Sequence, residues 1–465
     1  MRHYGPISGV ATHKNYIATA GYDNQLILWD GVDGLPISRG NHDHLVNQVS
    51  FSPDGTLVAS ASSDFTVRIW SVPDLHLKLV IREHDDDVEM VSFSQSGEKL
   101  ATCSRDGKVR VFNINGSLLT TMTGHTNDVI SVTWTEDEAN ILSSSDDGTI
   151  RRWDSENGSE LECIELDGAQ TDALVVASNG DIIAGDDNGQ LILIRDSRQI
   201  KIKAHVAGVK RLIFSETYNR IASLSYDRSL IIWSLEEFGL HEICRTEFPA
   251  EVWARAAAFI NGSQIVTGTF GSKYALFDIT QQKWHTTGIL PYHNFNAVIA
   301  FDKNIYCVGD AGIVYCDNKP IIELGSLCNF LLNTQNMLIT GGQLGIIFDA
   351  LSRKILYRFH SPINCATSFM REGKELIAFG TYTGEVLVLD IQPDITNYIG
   401  TYKIHDNAIK GITADSNHIF SVSASAQAAY IDINTLSVVD LIDNAHDKIA
   451  NGCVKIDGGF ASISR

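Results

Sequence analysis

Short stretches of this chain alternate apolar and polar residues. Runs such as Thr66–Trp70 (TVRIW) and Ser229–Trp233 (SLIIW) follow a period of two and are bounded by Gly, Asp, Asn and Ser. Such a run places alternate side chains on opposite faces, so each reads as a short strand with one face buried, closed by a turn. No segment sustains a helical period. The pattern predicts an all-β protein.

The alternation is itself repeated. GHTNDVISVTWTEDEANILSSSDDGTIRRWD, from Gly124 to Asp154, opens on Gly-His, passes through Asp-Gly and closes on Trp-Asp. Segments of the same form begin at Asn41 and Ala204. In these residues the chain resembles the WD-repeat family, whose repeats of roughly 40–45 residues each fold into one four-stranded blade of a β-propeller. The resemblance implies a buried hydrogen-bonded tetrad of His, Ser or Thr, Asp and Trp in each blade. Three repeats supply every member: His42, Ser62, Asp64 and Trp70; His125, Ser145, Asp147 and Trp153; His205, Ser225, Asp227 and Trp233. The first repeat has His3, Asp23 and Trp29 but Gly21 at the hydroxyl position, and the third has His84, Ser104 and Asp106 with Phe112 in place of Trp.

Further along, the signature decays. Asn188 and Ile194 take the Asp and Trp places in the fifth repeat, and Gly271 and Phe277 do so in the seventh, where Thr269 survives. GIVYCDN, GIIFDAL and GEVLVLD still end like blades, and His405 and His446 again precede apolar alternation. About twelve repeats result, too many for one ordinary ring of about four to eight blades. The expectation is therefore tandem propellers. Residues 1–283 form the first, with about seven blades. Residues 284–465 form a degenerate second with about five, the last cut short after GGFASISR. The crossing falls in WHTTGILPYHNF. An unfinished last blade would expose open sheet edges, so the natural polypeptide is expected to continue.

Composition narrows the function. Lys plus Arg is 36 against 56 Asp plus Glu, a net charge of -20. That balance repels phosphate and disfavours nucleic acid and anionic membranes as partners, while a basic protein surface remains suitable. The eight cysteines form no C-x-x-C pair, and no signal-peptide core or membrane-length apolar run is present. These features suit a cytoplasmic protein with reduced thiols.

His, Ser and Asp together suggest a hydrolase triad. A catalytic set is needed once, however, and this one recurs in successive repeats, so the groups are read as satisfying one another within each blade. For metal, His42 and His84 are already assigned, which leaves His44 alone, and the acidic EHDDDVE lacks the spacing of a calcium loop. No P-loop, dinucleotide fingerprint or nucleophile elbow occurs, and no cofactor, metal or catalytic residue is expected.

In the family, the residue before the turn Asp lies near the central channel. Those positions hold Tyr22, Ser63, Arg105, Asp146 and Tyr226, with Phe270 the counterpart in repeat seven. Tyr, Phe and Arg around one rim are residue types enriched in binding hot spots, so a protein partner is expected there. The reading is a non-catalytic scaffold for complex assembly. The alternative is an enzyme or small-molecule binder that uses a channel mouth. The stretches HYGPISGVA, AGYDNQLILWD and HDHLVNQVSFSPDG also resemble WD-repeat proteins of bacterial toxoflavin gene clusters. That resemblance implies an accessory component of antibiotic biosynthesis.

Overall fold

The computed structural model describes residues 1–196, 198–290, 294–334, 337–446 and 449–464. Strands dominate, as the alternation predicts, and they form four-stranded antiparallel sheets in which each strand pairs with the next in sequence. The chain divides into two compact units, Met1–Tyr292 and His293–Arg465. Of the expected crossing segment, residues 291–293 lie outside the described residues.

The first unit carries seven such sheets among the described residues. Their first strands, Ile7–His13, Val46–Phe51, Val88–Phe93, Val129–Trp134, Thr171–Val176, Val209–Ser215 and Val252–Asn261, each pack beside the next. The last returns to the first, closing the ring. Ile7, Val10, Ile17 and Trp29 of the first sheet share a core with Ala256, Val266 and Tyr274 of the seventh. Thr12 Oγ1 donates to the Phe259 carbonyl at 2.6 Å, and His3 and Ser272 exchange backbone hydrogen bonds across the same seam. The unit is a seven-bladed propeller.

Sequence follows position in the blade. The second strands, such as LVASAS (Leu57–Ser62) and NILSSS (Asn140–Ser145), are almost wholly buried, and small Ala and Ser fit where neighbouring sheets converge. The outermost strands, such as RQIKIK (Arg198–Lys203), are mostly exposed and carry charge.

In the second unit, Phe295–Phe301, Cys328–Asn333, Ile363–Arg371 and Ile409–Ala414 begin four-stranded sheets, and Ala450–Ile456 pairs with Gly459–Ser464 in a two-stranded hairpin. Successive sheets pack through apolar faces, for example Phe330 and Ile347 against Phe379 and Leu387. His405 Nε2 meets Ser421 Oγ at 2.8 Å, and His446 Nε2 meets Ser462 Oγ at the same distance. Tandem four-stranded blades, with a signature worn down in the second half, are what the structure contains.

The buried polar network differs from expectation in one member. His42 Nδ1 lies 2.9 Å from Asp64, and its Nε2 lies 2.7 Å from Ser60 Oγ, which also accepts the Trp70 indole N–H at 2.9 Å. The hydroxyls are thus Ser60, Ser143 and Ser223, two residues before the expected Ser62, Ser145 and Ser225. Residues two apart in a strand share a face, so sequence spacing alone does not separate them. Strand pairing does. Trp70 is in register with Val58, which brings its indole beside Ser60 and leaves Ser62 at the strand end. Ser62 instead accepts the Asp64 N–H at 3.0 Å and donates to the Leu45 carbonyl at 2.7 Å, closing the turn.

The same shift completes the first repeat. Thr19 Oγ1 takes His3 Nε2 at 2.8 Å and the Trp29 N–H at 2.7 Å, while a Cβ on Gly21 would sit 2.6 Å from both Asp23 Oδ1 and His3 Nδ1. The third repeat is the damaged one. His84 keeps Thr102 at 2.9 Å, but its buried Nδ1 has no hydrogen-bond partner, and Asp106 pairs with Arg110 at 2.8 Å.

Proton placement follows from donor chemistry. An indole N–H only donates and a carboxylate only accepts, so the hydroxyl donates to His42 Nε2 and the Nδ1–H donates to Asp64. Burial holds His42 below its usual pKa, which keeps the ring neutral. Burial pushes the Asp64 carboxyl up, but hydrogen bonds from His42 and Thr66 outweigh it and hold the group well below the usual carboxylate range.

Asp147 accepts from His125 at 2.8 Å, Thr149 Oγ1 at 2.7 Å, and the backbone N–H groups of Thr126 and Thr149. Substitution Asp147→Ala leaves these donors unpaired and is expected to cost on the order of 1–3 kcal/mol. Thermal unfolding checks this. An unchanged melting temperature contradicts a structural role for the network.

Candidate functional site

A β-bulge recurs near the start of the inner strands. The register of strand pairing slips between Ile7 and Gly9, Val46 and Gln48, Val129 and Ser131, Thr171 and Ala173, and Val209 and Arg211, and likewise around Glu89. A bulge sets two residues against one and re-aims the extra side chain. The extra residues are Ser8, Asn47, Glu89, Ile130, Asp172 and Lys210, at the end of the ring where the turns between second and third strands lie. Here several of them meet the residues that precede the turn Asp.

The contacts are specific. Asn47 Nδ2 donates to Ser63 Oγ at 3.1 Å, and Ser63 donates to Asp87 at 2.9 Å. Arg105 is bound by Glu89 at 2.5 Å and lies 3.6 Å from Asp128. Lys210 pairs with Asp172 at 2.8 Å and with Asp187, and its ammonium stands 5.3 Å above the Tyr226 ring. On the aromatic side, Tyr22 meets Trp253 edge-on at 5.1 Å, Trp253 meets Phe270 at 6.0 Å, and Arg255 lies over Trp253 at 5.9 Å.

Of the six expected rim residues, Tyr22, Ser63, Arg105, Tyr226 and Phe270 each make at least one of these contacts, in unequal roles. Tyr22, Arg105, Asp146 and Tyr226 keep part of their surface open. Ser63 and Phe270 are only 8% and 6% exposed, so they are corrected from contact points to supports, held by Asp87 and Trp253. Arg105 is tied down by carboxylates. Sequence reading missed Glu89, Asp172, Lys210, Trp253 and Arg255. A signal was present, since each bulge residue directly follows the first buried residue of its strand.

Charge at this mouth is uneven. The carboxylates of Asp87, Glu89, Asp128, Asp146, Asp172 and Asp187 outnumber the cations of Arg105, Lys210 and Arg255. The Glu89 carboxylate holds the Arg105 guanidinium firmly charged. Burial opposes the charge on Lys210, but Asp172 and Asp187 outweigh it. Asp146 is not held in this way. Burial, with the negative charges of Asp172 and Asp187, pushes its carboxyl well above the usual range. Among the described residues, no group of His, Cys, Asp and Glu is placed to hold a metal ion, and all eight cysteines are free. Among them, too, no helix is long and apolar enough to cross a membrane.

Residues 2–30, 36–71, 76–113, 116–154 and 197–234 match the family model described as WD domain, G-beta repeat. The chain is 31% identical over 218 residues to periodic tryptophan protein 2 of Arabidopsis thaliana, covering 45% of this chain and 20% of that protein. It is 24% identical over 258 residues to the ribosome biogenesis protein WDR12 homolog of the same plant, covering 50% and 55%. It is 27% identical over 158 residues to a chromatin assembly factor 1 protein of Gallus gallus, covering 32% and 24%. The chain thus spans between about a fifth and about half the length of these relatives. Family model and relatives together support the WD40 repeat family.

A carboxyl whose folded pKa is raised stabilises fully below its unfolded pKa and loses that contribution as pH rises through the folded value. Asp146→Asn removes the cost of ionising this group while keeping its shape. The variant is expected to melt higher than the parent at pH 8 by about 2 °C or more, and to match it near pH 4. Equal melting temperatures at both pH values contradict the raised pKa.

Proposed function

We propose that the chain is a non-catalytic scaffold that assembles protein complexes, and that the channel mouth of its first propeller receives a basic segment of a partner. The observation that carries this reading is the mouth itself. It combines an excess of carboxylate with two partly open tyrosines, Tyr22 and Tyr226, on a rigid ring. Tyr supplies large contact area with few rotamers to freeze, and an acidic surround favours Lys- or Arg-bearing partners. The relatives include proteins named for ribosome biogenesis and for chromatin assembly, which suits a role within assemblies. None of the relatives above extends the toxoflavin resemblance of the opening repeats.

The test uses a partner captured with the intact protein, whose affinity is then measured against variants. The double substitution Tyr22→Ala with Tyr226→Ala is expected to stay folded by circular dichroism and to lose at least about 2 kcal/mol of binding. Binding by the parent is expected to weaken as salt rises. Tyr398→Ala, at an exposed site in the second unit, serves as the control. Full affinity in the double variant, or loss only with Tyr398→Ala, moves the site away from this mouth.

A further inference from the structure

Beyond the mouth, the inner strands of the first propeller line an open cavity of about 620 Å³. Its lining draws on all seven blades and includes Gln48, Met90, Ser131, Leu174, Arg211 and Ala257. This size falls within the roughly 300–1,000 Å³ typical of small-molecule sites. Arg211 carries the only full charge in the lining, which holds no Asp or Glu.

Arg211 is a partly buried cation that, like Arg220, has a guanidinium nitrogen without a partner. Arg68, Arg105, Arg110 and Lys210 each face at least one carboxylate. The Arg211 side chain has no hydrogen bond or ion pair among the described residues, and its buried Nε is without a partner. Of the polar neighbours on the lining, Gln48 and Ser131 are engaged elsewhere, while His13 Nε2 is also without a partner. Gln48 accepts the Val91 N–H at 3.1 Å and donates to the Val49 carbonyl at 2.8 Å, and the Ser131 hydroxyl points to Met90 Sδ at 3.5 Å. Burial, with the like charge of Arg255, pulls the Arg211 guanidinium down to about 10, so it remains charged near neutral pH. A desolvated charge without a counter-ion is costly. A guanidinium fork is matched by the two oxygens of a carboxylate or phosphate.

We infer that this channel cavity binds a small organic or inorganic anion, with a carboxylate or phosphate seated on Arg211. The net charge of -20 opposes large polyanions, so the ligand is one small enough to enter the cavity and leave the acidic mouth behind. The site is separate from the partner surface at Tyr22 and Tyr226.

Calorimetric titration of the full chain with succinate and with inorganic phosphate, at constant ionic strength, tests the inference. Saturable one-to-one binding of either anion supports it, and the anion that binds identifies the chemistry. Arg211→Gln is expected to weaken that binding at least 10-fold and Arg211→Lys less, since Lys keeps the charge but not the fork. Without anion, Arg211→Gln is expected to melt no lower than the parent, because it removes an uncompensated buried charge. The Tyr22→Ala, Tyr226→Ala variant is expected to bind the anion as the parent does. Absence of saturable binding by both anions overturns the inference, as does undiminished binding by Arg211→Gln.

Discussion

In four blades of the first unit, at Asp23, Asp64, Asp147 and Asp227, the carboxylate at the turn between second and third strands has two sets of partners. On one side it accepts a histidine N–H, and through that ring it fixes a hydroxyl and an indole inside the blade. On the other it accepts backbone N–H groups from the turn and from the residue after the histidine. The relay therefore ties the turn to the strand that enters the blade. The residue just before the carboxylate is held where the ring narrows. Tyr22, Ser63, Asp146 and Tyr226 reach one opening because four separate turns are pinned in this way, and the turn of Arg105 is held by the backbone N–H groups of Asp85 and Lys108 on Asp106. A neutral imidazole is what permits it, since a neutral ring donates at one nitrogen and accepts at the other.

The bulges supply the second half of the mouth. Without an extra residue in the inner strand, side chains would alternate strictly between the two sheet faces. The bulge turns Asn47, Glu89, Asp172 and Lys210 toward the axis, where they pair with the turn residues. Ion pairs in this setting do little net work for stability, because desolvation offsets their attraction. What they do is fix geometry and leave charge unbalanced at chosen points. The mouth is acidic around Asp146, and the cavity beyond it is cationic at Arg211. Two ends of one channel thus present opposite signs.

Much of this was legible in the sequence. Period-two alternation and the recurring Gly-His and Trp-Asp borders named the strands, the blades and the histidines. The hydroxyl was not legible, because Ser60 and Ser62 lie on the same face of one strand, and only pairing with Trp70 distinguishes them. For the same reason Thr19 went unseen while Gly21 looked like a gap. The rim residues were legible as a set through their fixed offset from the turn Asp. Their inequality was not, since Phe270 is covered by Trp253, a residue from a strand with no family signature. Arg211 gave no signal at all. Its isolation depends on the absence of carboxylate from six other blades.

Docking of a partner at the acidic mouth of the first propeller, the proposed role, can be read from a single contact. A photo-crosslinking phenylalanine analogue in place of Tyr22, followed by mass spectrometry of the captured complex, examines that contact directly. The account predicts crosslinks from this position into a Lys- or Arg-bearing segment of the partner, and none from the same analogue in place of Tyr398. Crosslinks confined to the Tyr398 position, with position 22 silent while the complex forms, would contradict it.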